Sequence, residues 1–288
     1  MLKVLITGKN GQLGSTFQEL ATSVADIEFI FKDSKELDIT DFKQVEGVLS
    51  TDKPNIIVNC AAYTAVDRAE EEPEQADLVN HIGVKNLAMM CKNRNIGLIH
   101  ISTDYVFDGE KGSPYEVADP TNPINVYGKT KLAGELAMQA INPNGCIIRT
   151  SWVYSKYGSN FVKTMLRLSK EKDEINVVAD QYGSPTYATD LANACISLMK
   201  NVENWKDGTE IYHYSNEGVI SWYEFAKEIM VITKINCNVI AIESKKFKTL
   251  ARRPKRTALN PHPQKILGNL VNWKESLVIN LKEKDGLE

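Results

Sequence analysis

No stretch of this chain approaches the run of about 18 apolar residues that a membrane-crossing helix needs. Its N-terminus runs straight into Leu2-Lys3-Val4-Leu5-Ile6-Thr7, too short an apolar segment for a secretory leader, so a cytoplasmic protein with no membrane partner is expected. Cysteine is sparse: Cys60, Cys91, Cys146, Cys195 and Cys237 are scattered, odd in number and without a C-x-x-C pair. That excludes a disulfide framework and a thiolate zinc site, and leaves small apolar residues in a reducing compartment. Histidine is scarcer still, at four residues. His81 and His100 fall inside a helical and an extended pattern and read as structural, and no His/Cys/Asp cluster has metal-ligand spacing, so no metal is expected. A net charge of −3 supplies no positive field for nucleic acid, so any anion must be held locally. What is present is ordinary: 288 residues, 43% apolar and 25% charged, enough for one large domain or two modest ones.

Short apolar runs alternate with helical patterns through the first half. Leu2–Thr7, Glu28–Phe31, Asn55–Cys60, Leu98–Ser102 and Cys146–Arg149 are predicted strands, several of them apolar throughout, as strands covered on both faces must be. From Glu74 to Asn93, Ala76, Val79, Gly83, Leu87 and Met90 recur at helical spacing behind an acidic run and Pro73, which suit a helix start. Strand and helix in strict alternation imply a parallel sheet with helices on both faces. Beyond residue 150 the rhythm loosens. Asn160–Ser169, Thr189–Met199 and a segment opened by the capping-box pair Ser221 and Glu224 read as helices. Ile175–Val178, Ile211–Tyr214 and Val239–Ile242 read as extended, and Pro261, Pro263 and a closing helix end the chain.

Directly after the first strand stands Gly8-Lys9-Asn10-Gly11-Gln12-Leu13-Gly14, followed by a helix-compatible run. Glycines at a first strand–helix junction permit a tight turn and a close approach of backbone N–H groups to a pyrophosphate, the mark of a dinucleotide site. The fold class is therefore α/β, a Rossmann-type doubly wound parallel sheet with a smaller C-terminal substrate-binding lobe. Residues 1–150 form the dinucleotide-binding domain, a segment at about 175–215 returns to it, and 151–174 with 216–288 form the lobe. The acid that would hold a ribose hydroxyl after the second strand is ambiguous. Asp33 favours NADH, its neighbour Lys32 could meet the extra phosphate of NADPH, and Asp38 is a further candidate.

Tyr127 and Lys131 lie four residues apart, with Ser102-Thr103 upstream. On a helix the two share a face, so the ammonium can sit near the phenol and lower its pKa toward the working range. Hydride arriving at a carbonyl leaves charge on oxygen; Tyr127 can supply the proton, and Thr103 a second hydrogen bond, unless it merely caps the next turn.

Together Thr7-Gly8-x-x-Gly11-x-x-Gly14, Asn59-x-Ala61-Ala62, Ser102-Thr103-Asp104, Tyr127-x-x-x-Lys131, Arg149-Thr150-Ser151-Trp152 and Asp180-Gln181-Tyr182-Gly183-Ser184-Pro185-Thr186 carry a family pattern. The chain resembles the extended short-chain dehydrogenase/reductases, and among them the reductases of 4-keto sugars carried on thymidine diphosphate. That resemblance implies NADPH or NADH as cofactor, touched by Gly8, Gly11, Gln12, Leu13, Gly14, Asp38, Ile39, Ala61, Ala62, Tyr63, Tyr127 and Lys131. It implies Tyr127, Lys131 and Thr103 as the catalytic group, and Val66, Thr103, Asp104 and Trp152 as residues meeting a dTDP-linked 4-keto-6-deoxyhexose. Trp152 could stack on the sugar ring or be a core tryptophan. Arg253, in the run Arg252-Arg253-Pro254-Lys255-Arg256, could hold the substrate diphosphate through its guanidinium fork, or belong to a solvated basic turn. Ser15-Thr16 stand where some relatives carry an acid used in metal-bridged pairing, so a monomer or weak homodimer is expected.

Two rivals remain. A nucleotide-sugar dehydratase or epimerase shares this scaffold, yet dehydratases of the group place an Asp-Glu pair after the threonine, and here Asp104 is followed by Tyr105. A non-catalytic regulator would have little reason to keep Tyr127, Lys131 and Thr103 together.

Overall fold

A computed structural model describes residues 1–205, 207–261 and 267–285; Pro263 lies outside them. Five strands of the first half, β1 (Leu2–Thr7), β2 (Ile27–Lys32), β3 (Ile56–Asn59), β4 (Gly97–Thr103) and β5 (Gly145–Thr150), join a sixth, Thr209–His213. All pair in parallel, in the order β2-β1-β3-β4-β5 and then the sixth strand. Every residue of β3 and of β5 is buried, which accounts for the apolar runs Ile56-Ile57-Val58 and Cys146-Ile147-Ile148 that precede the buried polar residues Asn59, Arg149 and Thr150.

Both faces of the sheet are covered. Val4, Ile6, Val58, Ile99 and Ile148 pack with Phe17 of the helix Gln12–Leu20 and Leu191 of the helix Ala188–Lys200. Leu5, Ile57, Leu98 and Ile147 face the other way, onto Leu87 and Met90 of the helix Gly83–Arg94 and Met138 of the helix Val126–Ile141. Each such fully buried side chain contributes roughly 1.5–3 kcal/mol. The chain runs from β1 outward to β2 and then crosses to β3 on the other side of β1, so the strand order reverses there and opens a crevice at the carboxyl ends of these strands.

A second core gathers Met165, Val177, Phe225, Ile229 and Leu277, from the helices Phe161–Glu171, Trp222–Thr233 and Trp273–Asp285 and the strand Glu174–Val178. Ser221 and Glu224 close the expected capping box. Of the segment at about 175–215 expected to return to the large sheet, only its later part does so: the helix Ala188–Lys200 covers one face and Thr209–His213 adds an edge strand. Glu174–Val178 pairs instead with Asn238–Ile242, because its apolar residues are buried in the smaller core.

Candidate active site

The glycine turn follows β1 as a close-packed unit. Gly8 has φ +64°, and a Cβ there would lie 2.9 Å from the Ala61 nitrogen. At Gly14 a Cβ would come within 2.3 Å of the Gly8 carbonyl oxygen, whereas at Gly11 the nearest atom is 3.3 Å away. The turn thus delivers the N-terminus of the helix Gln12–Leu20, capped by Gly11 without any side chain, to the crevice. A cleft of about 350 Å³ opens there, lined by Gly8, Gly11, Asp38, Ile39, Ala61, Ala62 and Tyr63 of the expected cofactor residues. Asn10, Asp33, Ser34, Thr40, Cys60 and Val79 also line it and were not foreseen as cofactor contacts, apart from the alternative raised for Asp33. Two expected side chains turn elsewhere: Leu13 is buried in the core, and Gln12 reaches Val153 O (3.2 Å) and Asn160 Nδ2 (2.9 Å). What these two can offer a pyrophosphate is backbone N–H. Among the described residues no group of three or more His, Cys, Asp or Glu is placed to hold a metal ion.

Asn125 caps the helix Val126–Ile141, its Oδ1 accepting from Gly128 N at 2.8 Å, which puts Tyr127 in the first turn at the mouth of the site. Lys131 follows one turn later and is buried, its Nζ donating to Ile101 O at 2.7 Å and lying 3.3 Å from His100 Nε2. Behind it runs a polar row across neighbouring strands: His100 Nδ1 lies 3.1 Å from Asn59 Nδ2, and Thr7 Oγ1 donates to Asn59 Oδ1 at 2.6 Å. His100, read from the sequence as structural, thus backs the lysine directly. Glu135, one further turn along, is fully buried and was missed; its spacing from Lys131 repeats that of Lys131 from Tyr127, the one sequence clue available. The helix is also tied to the cofactor side by Asn80, whose Oδ1 accepts from Tyr63 N at 2.8 Å while its Nδ2 donates to Thr130 Oγ1 at 3.2 Å.

The expected lowering of the phenol is not found. Burial pushes the Tyr127 hydroxyl up to about 12 and the nearby Asp104 adds to the rise, while a hydrogen bond from Thr103 opposes it. Lys131 does not bring the phenol down because its ammonium is turned to Ile101 and His100. Burial pushes Lys131 down to about 8, and the Glu135 carboxylate opposes that fall. Tyr127 is therefore a phenol that holds its proton until charge develops beside it.

Thr103 ends β4, where its Oγ1 accepts from Tyr105 N at 3.2 Å and donates to Asp104 Oδ1 at 3.1 Å. It does cap the following turn, and it also contacts Tyr127. Asp104 is buried with both oxygens engaged, Oδ2 by the Thr257 hydroxyl from a segment that sequence reading left unassigned.

Of the remaining expected substrate residues only Arg253 lines a second cleft, of about 710 Å³, together with Asp67, Phe161, Trp222 and neighbours from the basic segment. Val66 opens the short helix that presents Asp67. Arg253 closes a fork on Asp67, with Nη2–Oδ2 at 2.6 Å and Nη1–Oδ1 at 3.1 Å, and also hydrogen-bonds Tyr105, which packs edge-on against Tyr127 with ring centroids 5.8 Å apart. Its fork is thus already committed to a carboxylate. Trp152 takes a left-handed backbone, φ +49°, and its ring lies flat on Trp222, 3.4 Å between centroids at 9°. The stacking face foreseen for a sugar is occupied by Trp222, which lines the cleft itself.

The sequence family described as RmlD substrate binding domain matches residues 2–285. The chain belongs to the RmlD family. The dTDP-4-dehydrorhamnose reductase of Aggregatibacter actinomycetemcomitans is 43% identical over 269 residues, 90% of this chain and 91% of its own. A solved dTDP-4-dehydrorhamnose reductase from Clostridium acetobutylicum superposes with a TM-score of 0.93 at 40% identity, covering 99% of this chain and 100% of that one. That of Bacillus anthracis, solved in complex with NADP, gives a TM-score of 0.91 at 42% identity over 98% of this chain and 100% of its own. For this RmlD family member the two clefts are separate, with no lining residue in common, and Asp33, Asp38 and Tyr63 line the one while Asp67, Trp222 and Arg253 line the other.

Proposed function

We infer that this protein is a dTDP-4-dehydrorhamnose reductase, which uses NADPH or NADH to reduce the 4-keto group of dTDP-4-dehydro-β-L-rhamnose to dTDP-β-L-rhamnose. The observation that supports the assignment of roles is the contact of Thr103 with Tyr127 at the end of β4, with Lys131 one helical turn beyond Tyr127 and bonded to Ile101 of the same strand. The glycine turn, with no room for a Cβ at Gly8 or Gly14, fits a pyrophosphate laid against backbone N–H groups. Gly11, Gln12 and Leu13 offer those groups, and Asp38, Ile39, Ala61, Ala62 and Tyr63 wall the nucleotide. The dinucleotide, when bound, supplies the hydride.

The chain's own part is to bind, orient and deliver a proton. Tyr127 keeps its proton at neutral pH and gives it to the carbonyl oxygen as charge grows there, an effect worth about 10²–10⁴ in rate. Lys131, anchored on Ile101 O and backed by His100, is held so that its remaining N–H can point into the site. Thr103 is the second donor to the same oxygen. The second cleft takes the sugar nucleotide, with Phe161 and Trp222 as its aromatic wall and Trp152 stacked behind Trp222. Arg253 assists the diphosphate only if it is shared with Asp67, a weaker role than the sequence suggested.

The test is oxidation of NADPH or NADH by purified protein, dependent on dTDP-4-dehydro-β-L-rhamnose. Tyr127→Phe should cut turnover by about 10²–10⁴ while dinucleotide affinity stays within about twofold; unimpaired turnover in that variant would remove Tyr127 from the mechanism.

A further inference from the structure

Thr103 has one hydroxyl proton and three polar neighbours. Tyr105 N can only donate to it, so the proton must serve either Asp104 Oδ1, at 3.1 Å, or the side of Tyr127, where a substrate carbonyl would sit on the reading proposed above. Which one it serves is set by Asp104. As a carboxylate, Asp104 has only acceptors to offer and draws in the hydroxyls of both Thr103 and Thr257. As a neutral acid with its proton on Oδ1, it donates to Thr103, Thr257 still donates to Oδ2, and the Thr103 proton is released toward Tyr127. That second arrangement keeps both threonine hydroxyls bonded.

We propose that Asp104 works in its protonated form, as a positioning residue that turns the Thr103 hydroxyl toward the reacting carbonyl. The proposal rests on reading Thr103 as the second donor in a carbonyl reduction. Asp104 is 2% exposed, between the end of β4, the helix Val126–Ile141 and the returning segment around Thr257. The ionisable groups around it are Tyr105 on its own turn and Tyr127 on the helix; Arg253, from the returning segment, spends its fork on Asp67 and its further bond on Tyr105. Lys131, also buried on that helix, points instead to Ile101 and His100. Burial lifts the Asp104 carboxyl to about 7, with the Thr257 and Thr103 hydrogen bonds opposing the rise. The acid form is therefore populated below neutrality and lost as pH rises.

The test compares wild type, Asp104→Asn and Asp104→Ala. An asparagine can give an N–H to Thr103 and accept from Thr257 at every pH, so it copies the neutral acid. Wild-type kcat/KM should fall about tenfold per pH unit above neutrality, and Asp104→Asn should lack that limb while keeping turnover within about tenfold of the wild-type maximum. Asp104→Ala should lose on the order of 10²-fold at all pH values, as expected for a misdirected oxyanion donor. Infrared spectra of the cofactor-free protein give an independent readout: a protonated-carboxyl band, absent from Asp104→Asn, that disappears as pH passes neutrality. A wild-type limb that survives in Asp104→Asn, or no such band at pH 6, would overturn the proposal. A wild type inert toward the keto sugar with the band present would instead remove the reductase reading.

Discussion

Glu135 and Arg149 form an ion pair shut off from solvent, with side-chain exposures of 0% and 4%. Arg149 Nη2 donates to Oε2 at 2.7 Å and Nε lies 3.1 and 3.2 Å from the two oxygens, while Ser102 donates to Oε1 and the guanidinium covers the Phe107 ring at 5.2 Å. A pair so enclosed has no water to fall back on. Arg149→Met should cost about 3–5 kcal/mol, because Glu135 is left charged and unpaired, and adding Glu135→Met should recover most of that loss. Urea unfolding of the two variants decides it; a double variant no more stable than the single one would sink the account.

Lys131 pulls the other way. Its pKa is pushed from 10.5 down to about 8 by burial, so folding disfavours the ammonium relative to the unfolded chain. For a base lowered in this sense, the cost to stability is absent above the unfolded pKa and fully present below the folded one, hence present at pH 7. Lys131→Met should abolish turnover yet raise stability at pH 7 by up to about 3 kcal/mol, the gain vanishing near pH 10.5. Denaturant midpoints at the two pH values provide the measurement, and a destabilised variant at pH 7 would contradict it.

How much of this was visible beforehand depends on the distance over which each feature is set. β1 came out at the predicted bounds and the other four strands within a residue or two, because continuous apolar runs between turns are local signals. The helix expected at Glu74–Asn93 spans Pro73–Arg94, but the wide turn at Leu78–Ile82 that carries Asn80 toward Tyr63 leaves no clear mark in the spacing. Pairing of Glu174–Val178 with Asn238–Ile242 joins segments that no short-range pattern links. In the site, Tyr127, Lys131 and Thr103 were legible as motif residues. The burial of Glu135 was not, since a Lys and a Glu four apart look like a solvated helix pair until Arg149 arrives from β5. Nor could the bond between Thr257 and Asp104, 153 residues apart, be read.

The glycines of the first turn should separate into two kinds. Gly14→Ala places a Cβ 2.3 Å from the Gly8 carbonyl oxygen and 2.7 Å from Lys9 Cα, both backbone atoms that cannot yield, so the turn must open. Gly11→Ala meets nothing nearer than 3.3 Å and has an ordinary φ of −77°. Fluorescence titration should show dinucleotide affinity reduced more than about tenfold by Gly14→Ala; Gly11→Ala should leave thermal stability intact and weaken binding only through the methyl facing the pyrophosphate. Equal affinities for the two variants would refute this division.

Choice between the two dinucleotides comes down to the charges beyond β2. Asp33 lines the nucleotide cleft, its Oδ1 accepting from Lys35 N at 2.9 Å and Oδ2 from Asn10 Nδ2 at 3.2 Å, a geometry that suits a ribose diol. Two of the nearby cations are engaged: Lys32 with Asp52 at 3.2 Å, and Lys9 with Glu36 at 2.5 Å and with Asp33 itself at 3.7 Å. A phosphate placed there would confront the Asp33 carboxylate before gaining either lysine. Removing that charge should favour NADPH: Asp33→Asn is expected to raise the NADPH-to-NADH ratio of kcat/KM about tenfold, equivalent to about 1.4 kcal/mol. Glu36→Gln, by freeing Lys9, should move the ratio the same way. Steady-state kinetics with both coenzymes measure it, and a ratio unmoved by either substitution would mean that the ribose phosphate lies away from Asp33 altogether.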